Sequence, residues 1–195
     1  MRLPSSAHTL RPWRIHELTR GFRLEDVWAL PTPGGPDDFP QLVESVVSGG
    51  LSEGSSRLVR LLFAIRWTVG RLLRWDGQDH GLGAGAPTLR DQLPADLRDG
   101  PSGPKFGPFT SLYLTDDEWA AEIANRTVHG LLHLGWVPDG AGGYRGQMAV
   151  YAKPNGRLGT LYMAVINPFR HLLVYPSIVR QIGRKWQERG RPRTV

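Results

Sequence analysis

The chain contains no cysteine. That absence excludes disulfides, thiolate metal sites, cysteine nucleophiles and iron–sulfur clusters, and it fits a reducing cytoplasm, the compartment expected here. No run of about eighteen or more uncharged apolar residues occurs, so no transmembrane helix is expected. The opening residues MRLPSSAHTLRPW lack the apolar centre of a signal peptide, so export is not expected either. On the same ground the sequon Asn125-Arg126-Thr127 reads as a turn rather than a glycan acceptor. Also missing are a phosphate-binding loop, a GxSxG elbow, an HExxH pair, an EF-hand loop and any internal repeat.

What is present describes a globular chain. It has 195 residues, 40% hydrophobic and 22% charged, enough for one domain with its own core. The net charge is +6, and nearly all of the positive charge is arginine, gathered at 57–74 and 180–193. Nucleic acid is a partner such a balance permits, but no binding motif accompanies it, so none is expected. An anionic membrane surface is the other option for the basic helix read at 56–75; an ordinary solvated surface accounts for the charge equally well.

Along the chain, 8–20 (HTLRPWRIHELTR) alternates loosely and reads as a first strand. LEDVWAL at 24–30 and DDFPQLVESVV at 37–47 read as short helices around the breaker PTPGGP, with Asp37 or Asp38 capping the second. Glu25 and Asp26 then read as cap residues, or else as a pocket acid. Residues 56–75 carry a stripe of Leu58, Leu61, Leu62, Ile65, Val69, Leu72 and Leu73, the clearest helical spacing in the chain. Gly- and Pro-rich 77–109 reads as a long loop, and the C-terminal stretch as a long helix broken or kinked near Pro168 and Pro176, with a frayed tail over 188–195.

Residues 110–153 decide the architecture. In RTVHGLLHLGWV, His129 and His133 stand four apart, which on a helix would suit one metal ion. Period two fits better. Trp119, Ala121 and Ile123 oppose Glu118, Ala120 and Glu122; Val128, Gly130, Leu132, Leu134 and Trp136 oppose His129, Leu131 and His133; Met148 and Val150 oppose Gln147 and Tyr151. These are strands, and PDGAGG at 138–143 is a hairpin loop. TDDEW leaves a helix over 116–129 as the competing reading. Along a strand the two histidines lie roughly 13 Å apart, so no shared metal and no cofactor is expected.

A two-residue turn at Asn125-Arg126 would set Glu122 opposite His129 and Glu118 opposite His133. A Trp136–Tyr144 pair would bring Tyr151 to His129 and Gln147 to His133. Such rows lie within hydrogen-bonding reach, and a carboxylate beside an imidazole suits acid–base chemistry. A solvated sheet face has the same composition. The tryptophans and His171 read first as core residues.

DVWALPTPGG…DFP, DDEWAAEIANRTVHGLLHLGWV, YRGQMAVYAKPNGRLGTLYM and INPFRHLLVYPSIVRQIGRKW together resemble the bacterial family called domain of unknown function 2867. That family is in turn similar to the Bet v 1-like, polyketide cyclase and START-related (SRPBCC) superfamily. The resemblance implies a single α+β helix-grip domain over 1–195, an antiparallel sheet with a long C-terminal helix across it and an insertion at 48–109. It implies a cavity between sheet and helix for a small apolar molecule, which Trp119, Trp136, Met148, Tyr162, Met163 and Phe169 would line. The alternative is a cyclase, dehydratase or isomerase using His129 or His133 as base, Glu122 or Glu118 to orient it and Tyr151 to polarise a carbonyl. A third reading is a peripheral membrane or protein-interaction module using 56–75.

Overall fold

The computed structural model describes residues 1–50, 88–124, 128–156, 159–160, 163–164 and 174–189. Among these, six strands form one antiparallel sheet: β1 (Arg2–Leu3), β2 (Arg23–Ala29), β3 (Thr110–Leu114), β4 (Glu118–Ala124), β5 (Val128–Pro138) and β6 (Tyr144–Pro154), in the order β1-β2-β6-β5-β4-β3. The period-two reading of 118–153 holds, and the competing helix over 116–129 does not form. β4, β5 and β6 have both faces covered, so their burial is continuous rather than alternating. Side-chain identity is what still alternates.

One face carries Trp28, Trp119, Leu132, Leu134, Trp136 and Met148. It packs under α3 (Phe39–Gly50) and α5 (Tyr175–Arg189), through Phe39, Leu42, Val43 and Val46 of the first and Val179 and Ile182 of the second. This is the helix-grip arrangement, with the long C-terminal helix lying across the sheet. Two glycines permit the close approach: a Cβ on Gly183 would stand 2.5 Å from Pro31 Cγ, and one on Gly146 would stand 2.7 Å from Leu42 Cδ2. Pro176 is the second residue of α5 and follows a π turn at Val174; the stretch before it, on which the expected break or kink depends, lies outside the described residues.

The opposite face is closed by segments that sequence reasoning assigned otherwise. Residues 8–20 are not a strand. The chain between β1 and β2 forms two short helices, α1 (Ser6–Thr9) and α2 (Ile15–Leu18), and Pro12 between them interrupts any ladder the loose alternation could support. LEDVWAL is not a helix but β2, an interior strand held by β1 and β6. Asp26 therefore caps nothing; it is buried and pairs with Arg2 Nε at 2.8 Å. The helix over 37–47 is α3, and Asp38 stands just before it, accepting the Gly35 N–H at 2.7 Å.

The described part of the presumed loop 77–109 is also structured. A 3-10 turn (Leu89–Gln92) and α4 (Ala95–Arg98) deliver Leu89, Leu93 and Leu97 into a core with Trp13, Ile15, Leu18, Leu112, Leu131 and Tyr151. Burying each leucine contributes roughly 1.5–3 kcal/mol, enough to order a glycine-rich segment. The helix read at 56–75, the kink at Pro168 and the end of the tail lie outside the described residues.

Candidate functional site

Both His–Glu pairs stand on the face turned away from α5. The polar residues at alternate positions of β4, β5 and β6 are buried: Glu118, Glu122, His129, His133 and Gln147 are each under a tenth exposed, and His133 is completely enclosed. A solvated sheet face is thereby excluded, and so is a place for these pairs on the side of the sheet that faces the C-terminal helix, where the cavity was expected.

The register differs from the expected one by two residues. Ala124 pairs with His129 and Ala120 with His133, while Pro138 pairs with Tyr144. A shift of two preserves every facing, so the carboxylates still reach the imidazoles, diagonally rather than directly. His129 Nε2 lies 2.7 Å from Glu122 Oε2, and His133 Nε2 lies 3.0 Å from Glu118 Oε2. Asn125-Arg126, the proposed turn, lies outside the described residues.

The Glu122 pair closes the site beside β3 and the 3-10 turn. Glu122 also accepts the Thr88 hydroxyl and, at 3.1 Å, the Leu89 N–H, so one carboxylate ties β4 to the start of the 3-10 turn. Phe22 meets the His129 ring edge-on at 5.2 Å, and Lys153 Nζ lies 5.8 Å from the Phe22 ring. Burial alone would raise the Glu122 carboxyl, but hydrogen bonds from His129, Thr88 and Leu89 outweigh it and hold the group below its ordinary value.

The Glu118 pair is deeper. Glu118 accepts the Arg14 N–H at 2.8 Å and the Tyr113 hydroxyl at 3.0 Å besides His133. Burial pulls its pKa up, and the His133 hydrogen bond, His133 charge and remaining donors pull it further down. Tyr113, buried beside that carboxylate, is pushed up. His133 is pushed down, chiefly by burial, with Glu118 opposing.

Tautomers follow from the partners. Glu118 is an ionised acceptor, so His133 Nε2 carries the hydrogen and a neutral ring leaves Nδ1 as a lone pair. Nδ1 is buried with no partner among the described residues. Gln147 donates through Nε2 to the Ala7 carbonyl at 3.2 Å, so its Oε1 faces His8 Nδ1 at 3.0 Å and must accept. His8 Nε2 is then a second bare acceptor, also buried without a partner among the described residues. His8 is held down to about 3, first by burial and then by His133 beside it.

The rings enclose one another. His8 lies 4.9 Å from His133, Trp13 lies 5.2 Å from His133, and His8 and Trp13 stack at 6.2 Å. Trp13 Nε1 is a buried donor that likewise lacks a partner among the described residues. Gly135 makes room: a Cβ there would stand 2.7 Å from Trp13 Cζ2 and 3.3 Å from His133 Cε1.

Tyr151 turns to this cluster rather than to His129. Its hydroxyl lies 3.4 Å from His16 Nδ1, His16 Nε2 donates to the Arg11 carbonyl at 3.1 Å, and the Tyr151 ring is 5.7 Å from His8. Burial pushes Tyr151 up to about 12. Among the described residues no three His, Asp or Glu side chains are grouped to hold a metal ion.

Sequence reasoning missed His8, Trp13 and His16. The available signal was a concentration of imidazole and indole in HTLRPWRIH on either side of a strand-breaking proline. The apolar candidates fall on the other face: Trp119, Trp136 and Met148 are buried there, and Met163 is buried as well. Tyr162 and Phe169 lie outside the described residues. No helix among the described residues is long and apolar enough to cross a membrane. A family model described as "Protein of unknown function (DUF2867)" matches residues 18–177. No curated protein and no solved structure matches the chain.

Proposed function

The chain belongs to this DUF2867 family, and from that premise we propose that it is an acid–base enzyme of the cyclase, dehydratase or isomerase type. The observation that supports this most is His133, whose Nε2–H is fixed on Glu118 at 3.0 Å while Nδ1 is left bare in a buried polar cluster. A carboxylate that fixes one imidazole nitrogen and leaves the other free is how a general base is oriented. His133 would remove a proton and Glu118 would stabilise the imidazolium that forms. His129, oriented by Glu122 in the same way, is the second base that the face offers, and Tyr151 is a further hydroxyl at the cluster.

The test is loss of carbon-bound protons in deuterated water, followed by proton NMR over a panel of ketones, β-diketones and hydroxycarbonyl compounds. Washout by the wild-type protein should fall about 10²–10⁴-fold in His133→Gln. That variant keeps a side-chain donor for Glu118 and removes the Nδ1 lone pair. Washout that survives unchanged in both His133→Gln and His129→Gln would sink the acid–base reading.

One observation favours a binding function on the opposite face. Trp28 Nε1, in the apolar layer beneath α5 and 6.1 Å ring to ring from Tyr175, is a buried donor with no partner among the described residues. A donor in an apolar layer suits a small hydrophobic molecule with one carbonyl or hydroxyl oxygen. Native mass spectrometry of protein from its own host, followed by organic extraction, should then find a retained apolar molecule. Retention that is unchanged in Trp28→Phe and in a Trp119→Ala protein would place such a molecule elsewhere.

A further inference from the structure

We propose that the His8–Trp13–His133 cluster takes a small uncharged molecule bearing a hydroxyl beside a carbonyl, with His8 and Trp13 as its positioning residues. This rests on the acid–base reading of His133 and names the substrate class for it.

Three rings lie with their centroids 4.9–6.2 Å apart, and each carries one buried polar atom with no partner among the described residues: acceptors at His8 Nε2 and His133 Nδ1, a donor at Trp13 Nε1. A buried polar group without a partner destabilises the fold, so three in one cluster mark a site built for something. Two acceptors and one donor call for a molecule with two hydrogens to give and one oxygen to offer.

A hydroxycarbonyl compound meets that demand. Its hydroxyl donates to His8 Nε2, its carbonyl accepts from Trp13 Nε1, and the acidic C–H between them faces His133 Nδ1. Proton transfer is then balanced: the C–H proton passes to His133 Nδ1, its electron pair becomes the C=C bond, and the carbonyl π pair moves to an oxygen held by the indole N–H. Isomerisation is completed when the proton on His133 returns to the neighbouring carbon while the hydroxyl proton passes through His8 Nε2 to the oxygen held by the indole, so that the former hydroxyl carbon becomes the carbonyl and the former carbonyl carbon bears the hydroxyl.

The same inventory rejects anions. Neither imidazole can donate from its bare nitrogen, the ionised group nearest the cluster is Glu118, and a carboxylate or phosphate would meet two lone pairs and one N–H. Hydrogen-bonding capacity therefore works against acidic substrates, although Arg11 lies over the Trp13 ring at 6.0 Å and the chain's net charge is positive.

Entry is through the strap between β1 and β2. It carries His8 and Trp13 together, and it is held to the sheet by Gln147 on the Ala7 carbonyl, by Glu118 on the Arg14 N–H and by Tyr151 at His16. When it lifts, both positioning rings leave His133 as one piece.

The experiment uses acetoin, an uncharged hydroxyketone, and lactate, close to it in size but ionised. Each is titrated to saturation into the full-length protein labelled with nitrogen-15 in histidine, while the ring nitrogens are read by NMR. Acetoin should shift His8 Nε2 and His133 Nδ1; lactate should shift neither. Trp13→Phe keeps a ring and drops the donor, and should weaken acetoin about five- to tenfold. His8→Asn keeps a donor for Gln147 and drops Nε2, and should do the same. Lactate binding as well as acetoin, or acetoin leaving both nitrogens unmoved, would overturn the proposal. If acetoin fails while another compound shows His133-dependent washout, the substrate class falls and the acid–base reading stands. If acetoin binds through His8 and Trp13 but no compound exchanges protons, the ligand class stands and the chemistry falls.

Discussion

At the residue scale the site depends on a glycine that does no chemistry. Gly135 Cα lies beneath Trp13, and a methyl group there would overlap both indole carbons nearest it. Ring and strand are both tightly placed, so Gly135→Ala should push Trp13 off His133. We expect a loss of about 1–3 kcal/mol in urea denaturation, the usual range for an overpacked core, and a changed tryptophan emission spectrum. An emission spectrum unchanged from wild type would mean that Trp13 does not lie over the strand. Glu118 is the other position where a small change reaches far, because it holds His133, Tyr113 and the Arg14 N–H at once. Glu118→Gln removes the charge and keeps the shape. It should free the tautomer of His133, visible in the imidazole nitrogen shifts, before it unfolds anything.

At the element scale, the 88–98 segment is the least expected part of the fold and the easiest to test. Leu89, Leu93 and Leu97 recur every four residues, a periodicity present in the sequence but overshadowed by the glycines and prolines around it. Leu93→Ala should cost about 2–5 kcal/mol by calorimetry or denaturant; a change near zero would mean that the segment is a loop after all. The strands of the meander were legible because period two survives burial on both faces as a change in residue kind, from indole and thioether on one side to imidazole and carboxylate on the other. Register was legible only to its parity. The pairing of β4 with β5 slides by two residues without changing which side chains face which way. β2 misled because it is covered on both faces and its register shifts between Leu24 and Asp26, so LEDVWAL, with the adjacent acids Glu25 and Asp26, shows no period of two to distinguish it from a short helix. The N-terminal strap misled for the opposite reason: its alternation was real but was interrupted by Pro12. Half of the site was therefore visible in the meander, and the half contributed by His8 and Trp13 became visible only when the strap was seen folded back over the sheet.

At the scale of the whole molecule, two buried neutral histidines set the response to acid. The folded-state pKa values of His8 and His133 are both depressed below the ordinary 6.5. Below about that pH the unfolded chain binds protons that the folded chain refuses, so stability is complete above it and declines as the pH falls. The slope is about 1.4 kcal/mol per pH unit for each such group. Glu118 and Glu122, also depressed, add their losses only as the pH falls below their ordinary 4.5 and through their lower folded values. Denaturation midpoints should therefore already decline between about pH 6.5 and about pH 5, and His8→Asn should flatten that decline. A profile flat to below about pH 5 would mean that neither histidine is buried neutral.

The sheet also works as a two-track tape. Odd positions of β5 write imidazole into one layer, and even positions write indole and leucine into the other. Losing or gaining a single residue between His129 and His133 would shift one track onto the other, sending one histidine among the tryptophans and exposing a leucine to Glu118. Neither layer could absorb the other's text. Length variation in this protein should therefore accumulate in the connections, and the spacing of four between its two histidines should be as unforgiving as the histidines themselves.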